Sequence, residues 1–366
     1  MQIPKEFDTD PRLTMRGWDF TSDDVREAIE NHWILNAAMH LAWNMCVLNC
    51  THCFTEDPNN PEGLKRILEQ EMSVERRLSL LEEYASLRGN ARMQSINVVG
   101  AGEPTTDPGF WKIIQKMRDL DIIPIVYTEG TAKLTDRGFA QDLYDSGATV
   151  VLKMDSLYNA ERQNAVVTGI GKKPSKLAAN YFQTRNNVVL PLLMDVGFAN
   201  HAPTRLAFDT IVCQENIHEM EDEHRFARDN NIFILMVNYL TSGRTTIPMQ
   251  NMVSRSQQFE VFRRLAEIDR TEYGIEHDAI YPYNGGTPCT IRHLGLYVTI
   301  KGDVFDCPGE SMKLGNLKNT SLADIWHSAD MRKITSEFDG GCFPREQFWA
   351  GQGQTSSRRA LPVLQS

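Results

Sequence analysis

Three cysteines on one short segment are the residues of this chain best suited to chemistry. Cys46, Cys50 and Cys53 stand in a C-x3-C-x2-C spacing directly after an apolar run, Ile34 to Trp43, that reads as a strand. A loop can bend three thiolates around three corners of a cubane cluster where a rigid strand cannot, and thiolates are the normal ligands of iron–sulfur clusters. The fourth iron would then draw its ligand from elsewhere. The alternatives are a zinc site or three buried thiols, although zinc usually takes four ligands arranged as two pairs. A second set follows far along the chain: Cys289, Gly302 and Cys307 in a C-x12-G-x4-C spacing, and then Cys342. Cys213 is the seventh cysteine. Seven cysteines in an intracellular chain point to metal or redox chemistry rather than to disulfides.

The elements that must position these residues alternate in type. Ser95 to Val99, Ile122 to Tyr127, Thr149 to Met154, Leu206 to Val212 and Ile232 to Val237 are short, apolar and partly β-branched, as expected of parallel strands covered on both faces. Amphipathic stretches lie between them. Val74, Leu78, Leu81 and Ala85 share a helical face, with Ser73 as N-cap and Gly89 as terminator. Lys176 to Asp195 predicts a helix closing at Gly197, and Asn216 with Glu219 resembles a capping box ahead of a helix running to Asn230. Six strands with intervening helices indicate a βα-repeat, either a partial barrel or an open doubly wound sheet. Leu296 to Ile300, the turn Lys301-Gly302-Asp303, and Val304-Phe305 read as a hairpin.

Length and composition bound the function class. At 366 residues the chain accommodates one large domain and a smaller one, and 41% hydrophobic with 23% charged residues suits a globular protein with a real core. A net charge of −10 excludes a nucleic-acid backbone as the main partner. Residues 1–10 lack the apolar core of a signal peptide, and the best apolar run, Val188 to Ala199, is too short to span a bilayer. A cytoplasmic location without membrane contact is therefore expected.

Cys46-Val47-Leu48-Asn49-Cys50-Thr51-His52-Cys53 resembles the signature of the radical S-adenosylmethionine (SAM) superfamily, with His52 where an aromatic residue is usual. Gly100-Ala101-Gly102-Glu103-Pro104, at the end of the second strand, resembles that family's glycine–glycine–glutamate motif, with Ala101 in place of its first glycine. Glycines let a backbone approach a ligand closely. Cys289 to Cys342, with Leu314-Gly315-Asn316-Leu317 and Ser321 to Trp326 between them, resembles the C-terminal auxiliary-cluster domain called SPASM or, with one cluster, Twitch. No later block of cysteines follows Cys342, so the resemblance extends to one auxiliary cluster.

The resemblance implies an α/β fold, a partial (β/α)6 TIM-like barrel over residues 34–245. A lead-in (1–33), a helical connector (246–277), an auxiliary-cluster domain (278–345) and a loosely ordered tail (346–366) complete the division. It also implies a [4Fe–4S] cluster on Cys46, Cys50 and Cys53 whose open iron is chelated by SAM, and an auxiliary cluster on Cys289, Cys307 and Cys342, with the Trp326 helix packed beneath it. His52, Gly102, Glu103, Thr128, Lys153 and Asn216 are the implied SAM contacts, because parallel α/β folds bind ligands at the carboxyl ends of their strands. Glu129 departs from the family pattern, in which Thr128 is often followed by asparagine.

The implied reaction is reductive cleavage of SAM to a 5′-deoxyadenosyl radical, which abstracts a hydrogen atom from a small polar substrate of sugar, aminocyclitol or nucleoside type. The outcome is oxidation or epimerisation, with a flavodoxin- or ferredoxin-type electron donor. Cys213 is then a candidate hydrogen donor, and Glu215 or Asp155 a candidate base. The rival reading is a maturase acting on a ribosomally made peptide. Only 45 residues precede Cys46, few for the leader-binding domain that such enzymes often carry. A redox sensor would need the cysteines but not the Gly102-Glu103 motif.

Overall fold

The computed structural model describes residues 10–351, apart from 44, 56–69, 170, 241, 247–250, 280, 282, 284, 287, 311 and 338–340. Six parallel strands carry the larger part of it: β1 (Asn36–Ala42), β2 (Ser95–Gly100), β3 (Ile123–Thr128), β4 (Thr149–Lys153), β5 (Leu206–Ile211) and β6 (Phe233–Val237). They fall within a residue or two of the six apolar runs. Each pairs with the next in sequence order. A doubly wound sheet reverses its strand order at a switch point, and this sheet does not. Right-handed crossovers in one direction put all helices on one face, and strand twist curls the sheet away from them, so that the helices cover its convex side. The result is an open, partial α/β barrel.

The helices between the strands show where local pattern and packing disagree. A capping box between Thr21 and Asp24 starts α1 (Ser22–Asn31) inside the expected lead-in. That lead-in is not inert. Met15 and Trp18 are buried, Trp18 Nε1 donates to Asn97 Oδ1 at 3.1 Å, and its ring stacks on Tyr283, so the segment closes the floor of the barrel. In α2 (Val74–Ser86) Ser73 caps as expected, but the fully buried stripe is Arg77, Leu80, Leu81 and Tyr84. The face is rotated because Arg77 reaches inward to Leu41 O and Asp107. The run expected as one helix from Lys176 to Asp195 is broken into Lys176–Ala179, Tyr181–Thr184 and Leu190–Val196, with a wide turn over Arg185–Val189. Pro191 lacks the N–H that a regular helix needs there. The run closes at Gly197, φ +109°.

After α3 (Ala160–Thr168), α4 (Met220–Asp229) and the capped connector helix α5 (Arg255–Glu272), the chain returns to the first strand. β7 (Tyr297–Val298) pairs parallel with β1, and β8 (Asp303–Phe305) and β9 (Lys313–Asn316) continue antiparallel, giving the order β6-β5-β4-β3-β2-β1-β7-β8-β9. The expected hairpin thus forms, turning at Gly302 with φ +83°, and it covers the free edge of β1. Contact there is tight: a Cβ on Gly295 would lie 1.7 Å from Asn36 O. α6 (Leu322–Trp326) is spent on the barrel rather than on the second cysteine set. Trp326 is fully buried, stacks on His32 at 4.6 Å and donates Nε1–H to His32 O at 2.7 Å.

The chain does not slacken at residue 346. α7 (Phe343–Gly351) runs through the first residues of the expected tail, and residues 352–366 lie outside the described residues. Among the described residues no helix is long and apolar enough to cross a membrane.

Replacing Trp326 by alanine removes a buried indole and its hydrogen bond at the junction of the two parts. The expected loss is about 3–5 kcal/mol of unfolding free energy, read from denaturant titration. A loss below about 1 kcal/mol would mean that the junction does not depend on this contact.

Candidate active site

The loop after β1 carries Cys46, Cys50 and Cys53 across the carboxyl edge of the sheet, and other strand-end segments grip it by main chain. Gly102 N donates to Trp43 O at 2.9 Å and Glu103 N to Met45 O at 2.8 Å. Asn49 N and Thr51 N donate to Val167 O and Val166 O of α3 at 3.0 and 2.9 Å. Arg244 N reaches Cys53 O at 2.8 Å, and its guanidinium donates to Cys50 O at 3.2 Å. At three of these places only glycine fits. A Cβ would lie 2.1 Å from Met45 O at Gly102, 2.3 Å from Asn49 O at Gly169 and 2.4 Å from Phe54 C at Gly243. Gly169 and Gly243 also need φ of +88° and +58°.

All three thiols line one cavity of about 950 Å³, shared with Gly100–Pro104, Thr128, Glu129 and Lys153. Burial pushes Cys50 up to about 12, so a bound metal must displace a proton held firmly in its absence. Among the described residues no three histidine, cysteine or carboxylate side chains converge on a point where one metal ion would sit. A cubane is wider than an ion and takes each thiolate at a separate corner, which suits three cysteines spread around a cavity wall.

Two buried carboxylates, Glu103 and Glu129, line the same cavity as the thiols. Glu103 Oε1 accepts from Thr105 N at 3.1 Å and from the hydroxyls of Thr105 and Thr128, both at 2.6 Å; Oε2 accepts from Glu129 N at 2.9 Å. Thr128 therefore supports Glu103. Glu129 is bonded by Thr131 and Ala132. Burial, and then the charge of Glu103, push Glu129 up to about 7. Two such groups side by side favour a cation between them.

His52, Lys153 and Asp155 form the third group. Lys153 Nζ lies 2.8 Å from His52 Nε2 and 3.2 Å from Asp155 Oδ1, which is 2.9 Å from His52 Nε2. Burial opposes the Asp155 charge, but Lys153 and His52 outweigh it and hold the carboxyl well below its usual range. An acid held that low is a poor base near neutrality, contrary to the role expected of it. His52 and Lys153 line the cavity of the thiols; Asp155 lies behind them.

The other expected residues are placed elsewhere. Asn216 neither caps α4 nor lines the cavity. Its amide donates to Asp155 O at 3.0 Å and Ile211 O at 2.9 Å, and its Oδ1 accepts from Cys213 N at 2.8 Å, so its capacity goes to the backbone. Cys213 packs with Tyr239, Met252 and Trp349 and accepts from Arg162 at 3.0 Å. Glu215 is exposed and paired with Arg162 at 2.7 Å. Neither Cys213 nor Glu215 lines either cavity of this region, because β5 ends at Ile211 and Cys213 bridges to Met252. Sequence reasoning missed Asp209, which does line both. Its signal was a lone carboxylate inside an apolar strand.

Cys289, Cys307 and Cys342 line a smaller cavity of about 130 Å³ with Gly285, Pro308 and Gly341. Gly285 N donates to Cys289 Sγ at 3.2 Å. Buried Arg345, three residues after Cys342, donates to Asn238 O at 2.6 Å and to Tyr239 O and Gly285 O at 3.1 Å, tying this segment to the end of β6. The cavity also reaches His52, Tyr127 and Asp209 of the barrel. The two cysteine sets therefore face a common interior.

Gly243→Ala places a methyl group against the Phe54 main chain and strains a left-handed φ. The variant is expected to fold but to lose about half of its reconstituted iron, read by iron analysis, because only the first set is displaced. Full iron content would show that the loop does not need this contact.

Residues 289–347 match the SPASM family, an iron–sulfur cluster-binding domain. No curated protein matches the chain in sequence. Among solved structures it is similar to anSMEcpe with bound AdoMet, at 14% identity and TM-score 0.55 over 82% of this chain and 83% of that one. It is also similar to Streptococcus suis SuiB bound to its precursor peptide SuiA, at 14% identity and TM-score 0.58 over 89% and 76%. SuiB bound to S-adenosylmethionine matches at 14% identity and TM-score 0.57 over 89% and 78%. The chain thus shares the fold of these AdoMet- and peptide-bound structures and carries, over residues 289–347, a match to the SPASM iron–sulfur cluster-binding domain.

Proposed function

We propose that this protein cleaves SAM reductively and uses the radical produced to take hydrogen from a small polar substrate held between the two cysteine sets. The observation that carries this reading is the placement of Cys46, Cys50 and Cys53, on a loop clasped by glycines, in the wall of one cavity that buried Glu103 also lines. Cys46, Cys50 and Cys53 would hold a [4Fe–4S] cluster, and Cys289, Cys307 and Cys342 an auxiliary one. When bound, the first cluster with SAM supplies one electron and a 5′-deoxyadenosyl radical.

The chain's own residues do the rest. Glu103 and Glu129 receive the SAM ammonium, and the hydroxyls of Thr105 and Thr128 fix the Glu103 carboxylate for it. Gly102 keeps the wall flat where the ligand and the Met45 main chain meet. Lys153, balanced by Asp155, holds His52 and with it the end of the cysteine loop. Apolar Val99, Ile211, Leu235 and Val237 keep water from the reacting centre.

The smaller second cavity, about 130 Å³, supports a small substrate of sugar, aminocyclitol or nucleoside type and an oxidation or epimerisation. The second reading, modification of a peptide, is supported by the fold shared with SuiB, whose structure holds its precursor peptide. Free thiols and oxidisable clusters suit the reducing cytoplasm, where a flavodoxin- or ferredoxin-type protein would supply the electron.

Anaerobic reconstitution with iron and sulfide, followed by dithionite and SAM, tests this reading. About eight irons per chain and 5′-deoxyadenosine are expected. Cys50→Ala should retain about four irons and form no 5′-deoxyadenosine. Fully loaded wild-type protein that fails to bind SAM would overturn the reading.

A further inference from the structure

Asp209 is the one feature of the interior that neither the cysteines nor the SAM-facing groups account for. It stands on β5 among Leu206, Ala207, Phe208 and Ile211, and it borders both cavities. Its register partner on β4 is Lys153. Yet Lys153 turns to His52 and Asp155, and among the described residues no donor hydrogen-bonds the Asp209 carboxylate. Burial pushes this carboxyl up to about 6, with the charge of Lys153 opposing the rise, so most of it remains ionised at neutral pH. Asp209 is partly exposed to the cavities it borders, so a ligand entering there meets a carboxylate whose acceptor capacity no donor among the described residues has taken up.

We propose that Asp209 anchors the substrate through a protonated amine, so that the interior cavity takes a small ammonium-bearing molecule. This rests on the reading given above, which makes that cavity the substrate site. Position supports it: a group held at Asp209 lies on the border between the two cavities, one of which Cys46, Cys50 and Cys53 also line. Charge supports an amine over an alcohol. Lys153 is already neutralised by Asp155, so it does not repel a second cation strongly. A charge-assisted bond to a carboxylate is roughly twice as strong as a neutral one.

The test is anaerobic calorimetric titration of the reconstituted, SAM-loaded full chain with three matched probe pairs. These are glucosamine against glucose, trans-2-aminocyclohexanol against trans-1,2-cyclohexanediol, and 3′-amino-3′-deoxyadenosine against adenosine. At least one amine should bind tenfold or more tightly than its alcohol. That preference should fall below about threefold in Asp209→Asn and persist in part in Asp209→Glu, which keeps the charge if the asparagine variant folds poorly. Equal binding within every pair, no binding by any amine, or a preference unchanged in Asp209→Asn overturns the proposal. The same preparations separate its failure from that of the function. If 5′-deoxyadenosine forms while the amine preference is missing, the anchor alone is wrong; if SAM does not bind, both readings fall.

Discussion

Close approach of backbone to backbone at three glycines determines where the first three cysteines stand. Gly102 follows β2, Gly169 follows α3 and Gly243 follows β6, and each touches the cysteine loop at a distance that no Cβ permits. The contacts come from the segments that follow β2, β4 and β6, so the loop is stretched over the barrel mouth rather than hung from one strand. Hydrogen bonds from Glu103 N, Thr51 N and Arg244 N hold it in that span. A parallel sheet makes this possible, since all its strands release their chains on the same side. The clasp fixes thiols that would otherwise pay a large ordering cost when a cluster binds.

Charge inside the barrel is divided along the strand ends. Glu103 and Glu129, after β2 and β3, give one wall an excess of negative charge that suits an ammonium. Lys153 and Asp155, after β4, cancel each other and serve the loop through His52. Asp209, on the next strand, is left without a counter-ion at hydrogen-bond distance. The Glu129 that stands where relatives often carry asparagine thus has an electrostatic consequence: it places a second carboxyl, its pKa raised by its burial and by Glu103, on the same wall.

The six strands were legible because each is a short apolar run bounded by polar or glycine residues, and the cysteine spacing was legible because it is local. Gly102 was legible as part of a motif. Gly169 and Gly243 as clasps were not, since their importance lies in contacts with Asn49 and Phe54, more than a hundred residues away in sequence. Cys213 followed Asp209 and Ile211 in alternation and so pointed inward on paper; the strand stops first, and the bridge to Met252 turns it out. Asn216 was read as a cap or a ligand contact because an asparagine before a helix suits both, but the tight turn after β5 needs its amide more. Trp326 was legible as a packing residue but not as a packing partner of His32, nearly three hundred positions earlier.

The small C-terminal domain continues the barrel sheet through β1 and β7, which is why its cysteines and those of the first loop open on one interior. The most direct test of the account is electron paramagnetic resonance of the dithionite-reduced protein, recorded before and after SAM is added. If the clasped loop leaves one iron open to SAM beside Glu103, the signal of the first cluster should change its g values on addition, and should do so equally in a Cys289→Ala/Cys307→Ala/Cys342→Ala variant. A spectrum that SAM leaves unchanged in both proteins would contradict the account.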